Sequence, residues 1–287
     1  MESPIRFRPS PDLFPFESHW FESSVGPVHY IDVGEGRPIV FFHGNPTWCF
    51  LYRKVIGALQ SHYRCIAVDY PGFGLSVRPM DYGYSPAEHA KVMSEFVDHL
   101  GIEDFMIMGQ DWGGPIGLSV AASRPEAVTG LILGNTWFWP TDRLLNKIFS
   151  RVMSSSPMQR RILERNFFID RLIPMGSGSL LSDYELDQYR GAQPFGMRQG
   201  QAEFPRQLMS AGPWLATLYE QVVEHLSRKR LLLVWGMKDI VFHPNAFLPK
   251  IRRVFHDSAM VQLPKAKHYI QEDAPGEIAQ AILQHFY

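Results

Sequence analysis

Short, nearly continuous apolar runs alternate along this chain with stretches whose apolar residues recur every three or four positions. Residues 38–42 (Pro-Ile-Val-Phe-Phe), 64–69, 104–109, 130–134, 230–236 and 259–263 are runs of the first kind and predict buried strands. Residues 19–23 and 28–33 flank Val25-Gly26-Pro27 and predict an antiparallel hairpin, which brings the strands to eight. Between the later strands lie helical patterns at 49–60, 86–100, 112–123, 244–255 and 275–285. In the first of these, Leu51, Val55, Ile56 and Leu59 fall on one face. Alternating β and α segments, with strands apolar throughout, predict an α/β fold: a mostly parallel central sheet covered by helices on both faces.

One interval breaks the alternation. From residue 135 to about residue 225 helical patterns appear at 142–153, 157–168, 183–189 and 213–227, but no strand does. Pro140, Pro174, Pro194 and Pro205 punctuate it. Excursions of this length inside compact domains are uncommon and usually functional. The pattern therefore predicts a helical cap over 135–227, inserted between core segments 1–134 and 228–287. Internal repeats and low-complexity tracts are absent, and Ser154-Ser155-Ser156 is long enough only for a turn.

The chemistry begins at residues 109–114, Gly-Gln-Asp-Trp-Gly-Gly, which follow the apolar run Phe105-Met106-Ile107-Met108. Gly-x-X-x-Gly between a short strand and a helix is a nucleophile elbow, whose glycines permit a turn tight enough to hold X at the top of a sheet. Most such elbows carry Ser; this one carries Asp111. A carboxylate that attacks carbon makes an ester, which water must then cleave. Such a nucleophile suits displacement at saturated carbon, at carbon–halogen bonds or epoxides, or attack on phosphoryl groups. Trp112 comes next, and an indole N–H can only donate. Beside a nucleophile it suits an anionic leaving group.

Three further positions complete a candidate site. His43-Gly44-Asn45-Pro46-Thr47-Trp48 follows the 38–42 strand, where this architecture draws one backbone N–H of an oxyanion hole; the other comes from the residue after the nucleophile. Those donors would be the backbone of Asn45 and Trp112, and the Asn45 side-chain amide adds a second prong for an anion. Capping of the loop is the competing role for Asn45. Of 11 histidines, His268 stands after the last strand, where the order nucleophile, acid, histidine puts the base; His43 is the next candidate. Asp239 follows the 230–236 strand, at that strand's C-terminal end, where open α/β sheets place sites. It is the candidate acid, with a helix N-cap as the competing role. Trp137, Phe138 and Trp139 stand at the entrance to the cap. Together with Phe149 and Phe168 they either line an apolar substrate pocket or pack as core. Gly72-Phe73-Gly74 lacks the third Gly and the Lys of a phosphate loop and reads as a turn. No His, Glu or Cys cluster has metal-ligand spacing in the sequence, so no metal is expected.

Composition narrows the partners. A net charge of −1 over 287 residues gives no reason to expect nucleic acid or an anionic membrane. Cys49 and Cys65 lie in apolar surroundings and make no disulfide framework. Residues 1–20 are proline-rich and lack a basic start followed by an apolar core, so a cytoplasmic enzyme without a signal peptide or a membrane span is expected.

With these residues in view, the chain resembles a haloalkane dehalogenase of the α/β-hydrolase fold. The resemblance is strongest in residues 43–48, 109–114, 236–242 and 267–269. It implies Asp111 as nucleophile, His268 as base, and Trp112 and Asn45 as the halide-stabilising pair. One branch of the family uses Glu just after the strand preceding the cap. Here Asn135-Thr136-Trp137 offers no carboxylate, so the acid falls to Asp239. The set Asp-His-Asp with Asn-Trp resembles the family's third subfamily, which tends to self-associate and so implies a homo-oligomer. The resemblance further implies a small apolar halogenated substrate, a halide product and no metal or organic cofactor. Epoxide hydrolases share the Asp nucleophile but protonate their leaving group with cap tyrosines, and Tyr184, Tyr189 and Tyr219 keep that alternative open. A cofactor-free oxygenase and a non-catalytic ligand-binding hydrolase fold are further alternatives.

Overall fold

Eight strands form a single sheet in this computed structural model, which describes residues 5–141 and 144–287. They are β1 (His19–Ser23), β2 (Gly26–Val33), β3 (Pro38–Phe42), β4 (Arg64–Val68), β5 (Phe105–Asp111), β6 (Val128–Thr136), β7 (Leu231–Gly236) and β8 (Ser258–Leu263). Their spatial order is β1-β2-β4-β3-β5-β6-β7-β8. The hairpin β1–β2 and the β2–β4 pair are antiparallel, and every later pair is parallel. Each expected strand is present within two residues of its predicted ends.

Alternation of side chains divides the interior into two cores. Along β3, Val40 and Phe42 enter one and Ile39 and Phe41 the other; along β7, Leu231 and Leu233 face the first and Leu232 and Val234 the second. Helices α2 (Pro86–Leu100), α3 (Gly113–Ala122) and α10 (Pro244–Val254) close the first core. Helices α1 (Arg53–Leu59) and α11 (Pro275–Phe286) close the second. The span 49–60 divides: Cys49–Tyr52 is a 3-10 turn that leads into α1. Helix α2 has the predicted ends because local chemistry fixes both. Ser85 and Glu88 form a reciprocal capping box at its start, and Gly101 turns left-handed (φ 60°) at its end.

Between β6 and β7 the chain runs through α4 (Leu144–Met153), α5 (Ser156–Arg165), α6 (Ile173–Gly176), α7 (Asp183–Gly191), α8 (Gln199–Ser210) and α9 (Gly212–Gln221). The first two residues of the helix expected at 142–153 lie outside the described residues. The helix expected at 157–168 stops at Arg165, because Asn166 takes a left-handed turn (φ 51°); Phe168 then opens a π-helical turn, Phe168–Leu172. The tail of the 213–227 pattern is likewise π-helical, Val222–Leu226. Helix α8 corrects the sequence reading. Pro205 was expected to punctuate the segment, yet it lies inside the helix, where burial of Ala202 and Phe204 overrides local propensity.

A second buried cluster ties the hairpin to the sheet. Asp69 accepts from the Cys49 N–H at 2.8 Å and the Leu75 N–H at 2.9 Å, and its carboxylate pairs with His29 Nδ1 at 2.8 Å. His29 Nε2 in turn meets Ser18 Oγ at 2.9 Å. The ligand atoms of His29, Cys49 and Asp69 lie within 4.8 Å of one another, a grouping invisible as sequence spacing. Burial opposes the Asp69 charge, but His29 and the surrounding donors outweigh it and hold the carboxyl down at about 2. Each of these polar groups thus has a protein partner, as burial requires.

Candidate active site

At the end of β5, Asp111 adopts φ 53°, a left-handed conformation rare for residues other than glycine, Asn and Asp. Such a backbone costs on the order of 1–3 kcal/mol and persists only where its surroundings over-determine it. They do so here. The Thr136 hydroxyl donates to the Asp111 carbonyl at 2.6 Å. Helix α3 then starts directly under β3: a Cβ on Gly113 would come within 1.9 Å of the Phe42 carbonyl oxygen. On the opposite side, a Cβ on Gly44 would sit 2.4 Å from the Asp111 Cβ. Glycine at 44 and 113 is therefore what lets the two loops close around the carboxylate.

The two carboxylate oxygens have different surroundings. Oδ1 accepts the Asn45 backbone N–H at 2.9 Å, and the Trp112 backbone N–H also donates to the carboxylate. Oδ2 lies 3.8 Å from His268 Nε2. Burial pushes the Asp111 carboxyl above its ordinary range, against the pull of His268 and of both N–H donors.

His268 Nδ1 meets Asp239 Oδ2 at 3.0 Å. The three residues predicted from distant parts of the sequence therefore stand in one row. Asp239 also serves its own turn, with Oδ1 accepting from Val241 N–H at 2.7 Å and Phe242 N–H at 3.1 Å. It is not the N-cap of α10, a position held by His243. Burial alone would lower the His268 imidazole. The charge and hydrogen bond of Asp239, with Asp111 and Asp273 behind it, raise it above its usual 6.5. The Asp239 carboxyl is correspondingly lowered: burial opposes its charge, and His268 and Asn135 outweigh that cost. His43, the other candidate base, is fully buried; its ring stacks on Tyr70 at 4.1 Å, and Nδ1 is bonded to its neighbour's carbonyl. Burial lowers it to about 4.

Several partners escaped the sequence reading. Asn135, at φ 40°, donates Nδ2 to Asp239 Oδ2 at 2.6 Å and accepts the Gly236 N–H at 2.7 Å. In the sequence its place, at the end of β6, reads only as lacking a carboxylate, whereas its amide anchors the carboxylate that follows β7. Gln110 Nε2 lies 3.2 Å from His268 Nε2 and donates to the His268 carbonyl at 3.1 Å. The base's loop is also tied to the helical segment. Its backbone N–H donates to Gly176 at 2.9 Å, and Asp273 accepts N–H bonds from Gly178, Ser179 and Lys267. None of these contacts spans neighbouring residues, so no sequence period could carry them.

The candidate pocket residues separate. Trp137 belongs with the site: its ring is 4.6 Å from Trp112 and stacks at 5.1 Å on Phe242, which stacks on His268 at 5.5 Å. Phe138 and Trp139 pack instead on Tyr219, Phe255 and Phe247, as core. Phe168 is buried with Met153, Ile162 and Ala202. Phe149 is 41% exposed on α4, contrary to a pocket-lining position, because it shares the outer face of that helix with Ile148 and Val152. Phe204, on the helix not predicted, lies 5.2 Å from Trp112. Of the tyrosines an epoxide-opening site would need, Tyr184 bonds Ser10 and Tyr189 donates to Glu272 at 2.6 Å. Tyr219 is 38% exposed.

Known proteins share both sequence and shape. Residues 37–275 match the family model of the alpha/beta hydrolase fold. Haloalkane dehalogenase 2 of Mycobacterium tuberculosis is 54% identical over 283 residues, spanning 98% of this chain and 99% of that protein. A haloalkane dehalogenase of Psychrobacter cryohalolentis is 29% identical, over 97% and 95% of the two chains. The crystal structure of the haloalkane dehalogenase from Bradyrhizobium elkani superposes with a TM-score of 0.84 at 26% identity, covering 94% of this chain and 97% of that one.

Proposed function

The chain belongs to the haloalkane dehalogenases of the α/β-hydrolase fold and hydrolyses haloalkanes to alcohol and halide, and from that premise we propose which of its residues perform each step. Asp111 Oδ2 attacks the halogen-bearing carbon in line. Halide leaves towards the Trp112 indole N–H and the Asn45 side-chain amide. The observation that carries this reading is the split environment of the Asp111 carboxylate. Oδ1 accepts the Asn45 backbone N–H at 2.9 Å, and Oδ2 faces His268 at 3.8 Å. After attack by Oδ2, the oxygen held by the Asn45 N–H is the ester carbonyl, where negative charge grows when water adds.

In the second step His268 Nε2 takes a proton from water, and the remaining hydroxide adds to the Asp111 carbonyl carbon. Collapse of the adduct expels alkoxide, which takes the proton back from the imidazolium. Asp111 is left as the acid and loses its proton, so the balance is alcohol, halide and one proton. Alkylation also prepares the base. Esterified Asp111 carries no charge, so one of the carboxylates that raise His268 is gone and the imidazole shifts towards its neutral, proton-accepting form. Asp239 orients the ring and stabilises the imidazolium, and Asn135 holds Asp239.

We assign residues 135–227 as a cap over core segments 1–134 and 228–287. The contacts of Phe204 with Trp112 and of Gly176 with His268 support that division. Trp137, Phe204 and Phe242 give the halide end an apolar wall suited to a small apolar haloalkane. No described helix is long and apolar enough to cross a membrane. A cytoplasmic location accords with two buried, unpaired thiols, Cys49 and Cys65. Self-association accords with the exposed row Leu144, Ile148 and Val152 on α4. Light scattering is expected to give an oligomer, and a monomer at every concentration would remove that assignment.

The halide pair is tested directly. Trp112→Phe keeps most of the ring and removes the donor; Asn45→Ala removes the side-chain donor and keeps the backbone N–H. Each is expected to slow dehalogenation of 1-bromobutane on the order of 10²-fold, with bromide binding weakened in parallel. Full activity in both variants would move the halide site elsewhere. Rapid diol formation from styrene oxide, lost on Tyr→Phe changes at Tyr184, Tyr189 or Tyr219, would instead favour an epoxide-opening site.

A further inference from the structure

Gln110 precedes the nucleophile at the end of β5, and its side chain is fully buried. Its amide nitrogen meets two groups of one residue: Nε2 donates to the His268 carbonyl at 3.1 Å and lies 3.2 Å from His268 Nε2. The carbonyl can only accept, so it fixes which end of the amide faces the base. The ring is fixed from its other side. Nδ1 stands 3.0 Å from the Asp239 carboxylate, an acceptor, so in the neutral ring Nδ1 carries the proton and Nε2 the lone pair. Gln110 Nε2–H donates to that lone pair, a contact that exists only while His268 is neutral. Once Nε2 is protonated two donors face one another, and the bond to the carbonyl keeps the amide from presenting its oxygen instead. Gln110 Oε1 is buried and has no hydrogen-bond partner among the described residues. An unpaired buried acceptor is a cost to the fold, so structural support alone does not account for an amide here.

We propose that Gln110 is a positioning residue for the base: its amide, held by the His268 carbonyl, donates to the Nε2 lone pair and so favours the neutral, proton-accepting ring. The inference deepens, and rests on, the reading of His268 as the base. The carboxylates around the ring favour its charge. Asp239 follows β7, Asp111 ends β5 and Asp273 ends the short helix Ile270–Asp273, and all three raise the imidazole. Tyr269, whose ring lies 4.8 Å away, is pushed up by burial and stays neutral. Gln110 is a neutral donor set against the three carboxylates. In hydrolysis water takes its place at the lone pair and gives Nε2 a proton. The amide then faces an N–H that it cannot accept, which favours return of the proton to the leaving alkoxide.

The test is the pH dependence of alkyl-enzyme hydrolysis, followed by intact-protein mass after a burst with 1-bromobutane, in the intact protein, Gln110→Met and Gln110→Glu. Methionine keeps the length of the side chain and removes the donor. Loss of one hydrogen bond to the neutral ring should move the midpoint upward by about 0.5–1 pH unit, the sign opposite to that expected for Asp239→Asn. Gln110→Glu sets an acceptor against Nε2–H and should move the midpoint further up, with hydrolysis at neutral pH slowed on the order of 10-fold. A strut that only ties β5 to the base's loop predicts a lower melting temperature and a lower plateau with the midpoint unchanged in both variants, and that result overturns the inference. A midpoint that moves downward overturns it too. Where neither variant folds, ¹⁵N-histidine NMR of the intact protein decides. Above the midpoint His268 should be the Nδ1–H tautomer, with its Nε2 resonance displaced from that of a free lone pair; a free lone pair, or a proton on Nε2, overturns the inference. Steady turnover in His268→Phe is a separate failure, which removes the base reading and the inference with it. An unmoved midpoint, with His268→Phe stalled as the alkyl-enzyme, removes the inference alone.

Discussion

His268→Phe is expected to release one halide per active site and then stop. Displacement by Asp111 needs no proton transfer, so the first half-reaction survives. Hydrolysis of the resulting ester needs a base within reach of water, and His268 is the imidazole whose Nε2 stands 3.8 Å from Asp111 Oδ2. Loss of a general base costs on the order of 10²–10⁴-fold, so steady turnover should fall by that factor while an alkyl group accumulates on Asp111. Intact-protein mass after 1-bromobutane, with peptide mapping, reads the adduct. Near-normal turnover would mean another base, and His43, bonded at both ring nitrogens and lowered to about 4, is poorly placed to replace it. The pH dependence carries a sign. The neutral imidazole is the active form, so hydrolysis of the alkyl-enzyme rises with pH to a plateau. Asp239 raises the His268 pKa; Asp239→Asn should therefore move the midpoint to lower pH while the plateau rate falls, because the imidazolium has lost its counter-charge. A midpoint that moves upward would contradict the assignment of Asp239.

A single turnover in ¹⁸O-labelled water is expected to put the label into Asp111 before any reaches the alcohol. Water that attacks the ester carbonyl leaves its oxygen on the carboxylate, whereas water that attacks the substrate carbon directly leaves it on the product. Asp111→Asn removes the nucleophile and should abolish both the halide burst and the label, with turnover falling by at least about 10⁴-fold relative to the intact enzyme. Label found in the alcohol alone during the first turnover would make Asp111 a base and not a nucleophile. Because Asp111 sits at φ 53°, Asn is the suitable substitution: it too tolerates the left-handed region, so the elbow is kept and lost activity reports lost chemistry.

Strands, most helices and the elbow motif were legible because their signals are local. A buried parallel strand such as Pro38–Phe42 is apolar at every position, and α2 announces both ends with Ser85 and Gly101. The elbow is legible for the same reason: Gly109, Gly113 and Gly114 are required by contacts within a few residues of Asp111 or directly across the sheet. Helix α8 was not legible, because its proline argues locally against a helix and only burial of Ala202 and Phe204 in the folded chain outweighs that.

By itself, then, the sequence determined the alternating α/β order, the helical interval before β7, the carboxylate on the elbow and a small set of candidates for its partners. It could do so because backbone periodicity and tight-turn chemistry are properties of short segments. Only the tertiary structure decided the couplings between segments far apart in the chain. It set Asn135 against Asp239, Gln110 against His268, and the Gln201 carbonyl against Asn45. It also separated Trp137, which joins the site, from Phe149, which faces outward. A hydrogen bond requires two groups within about 3 Å in a set direction. That condition depends on where the sheet and the helical segment meet, which no pattern of neighbouring residues records.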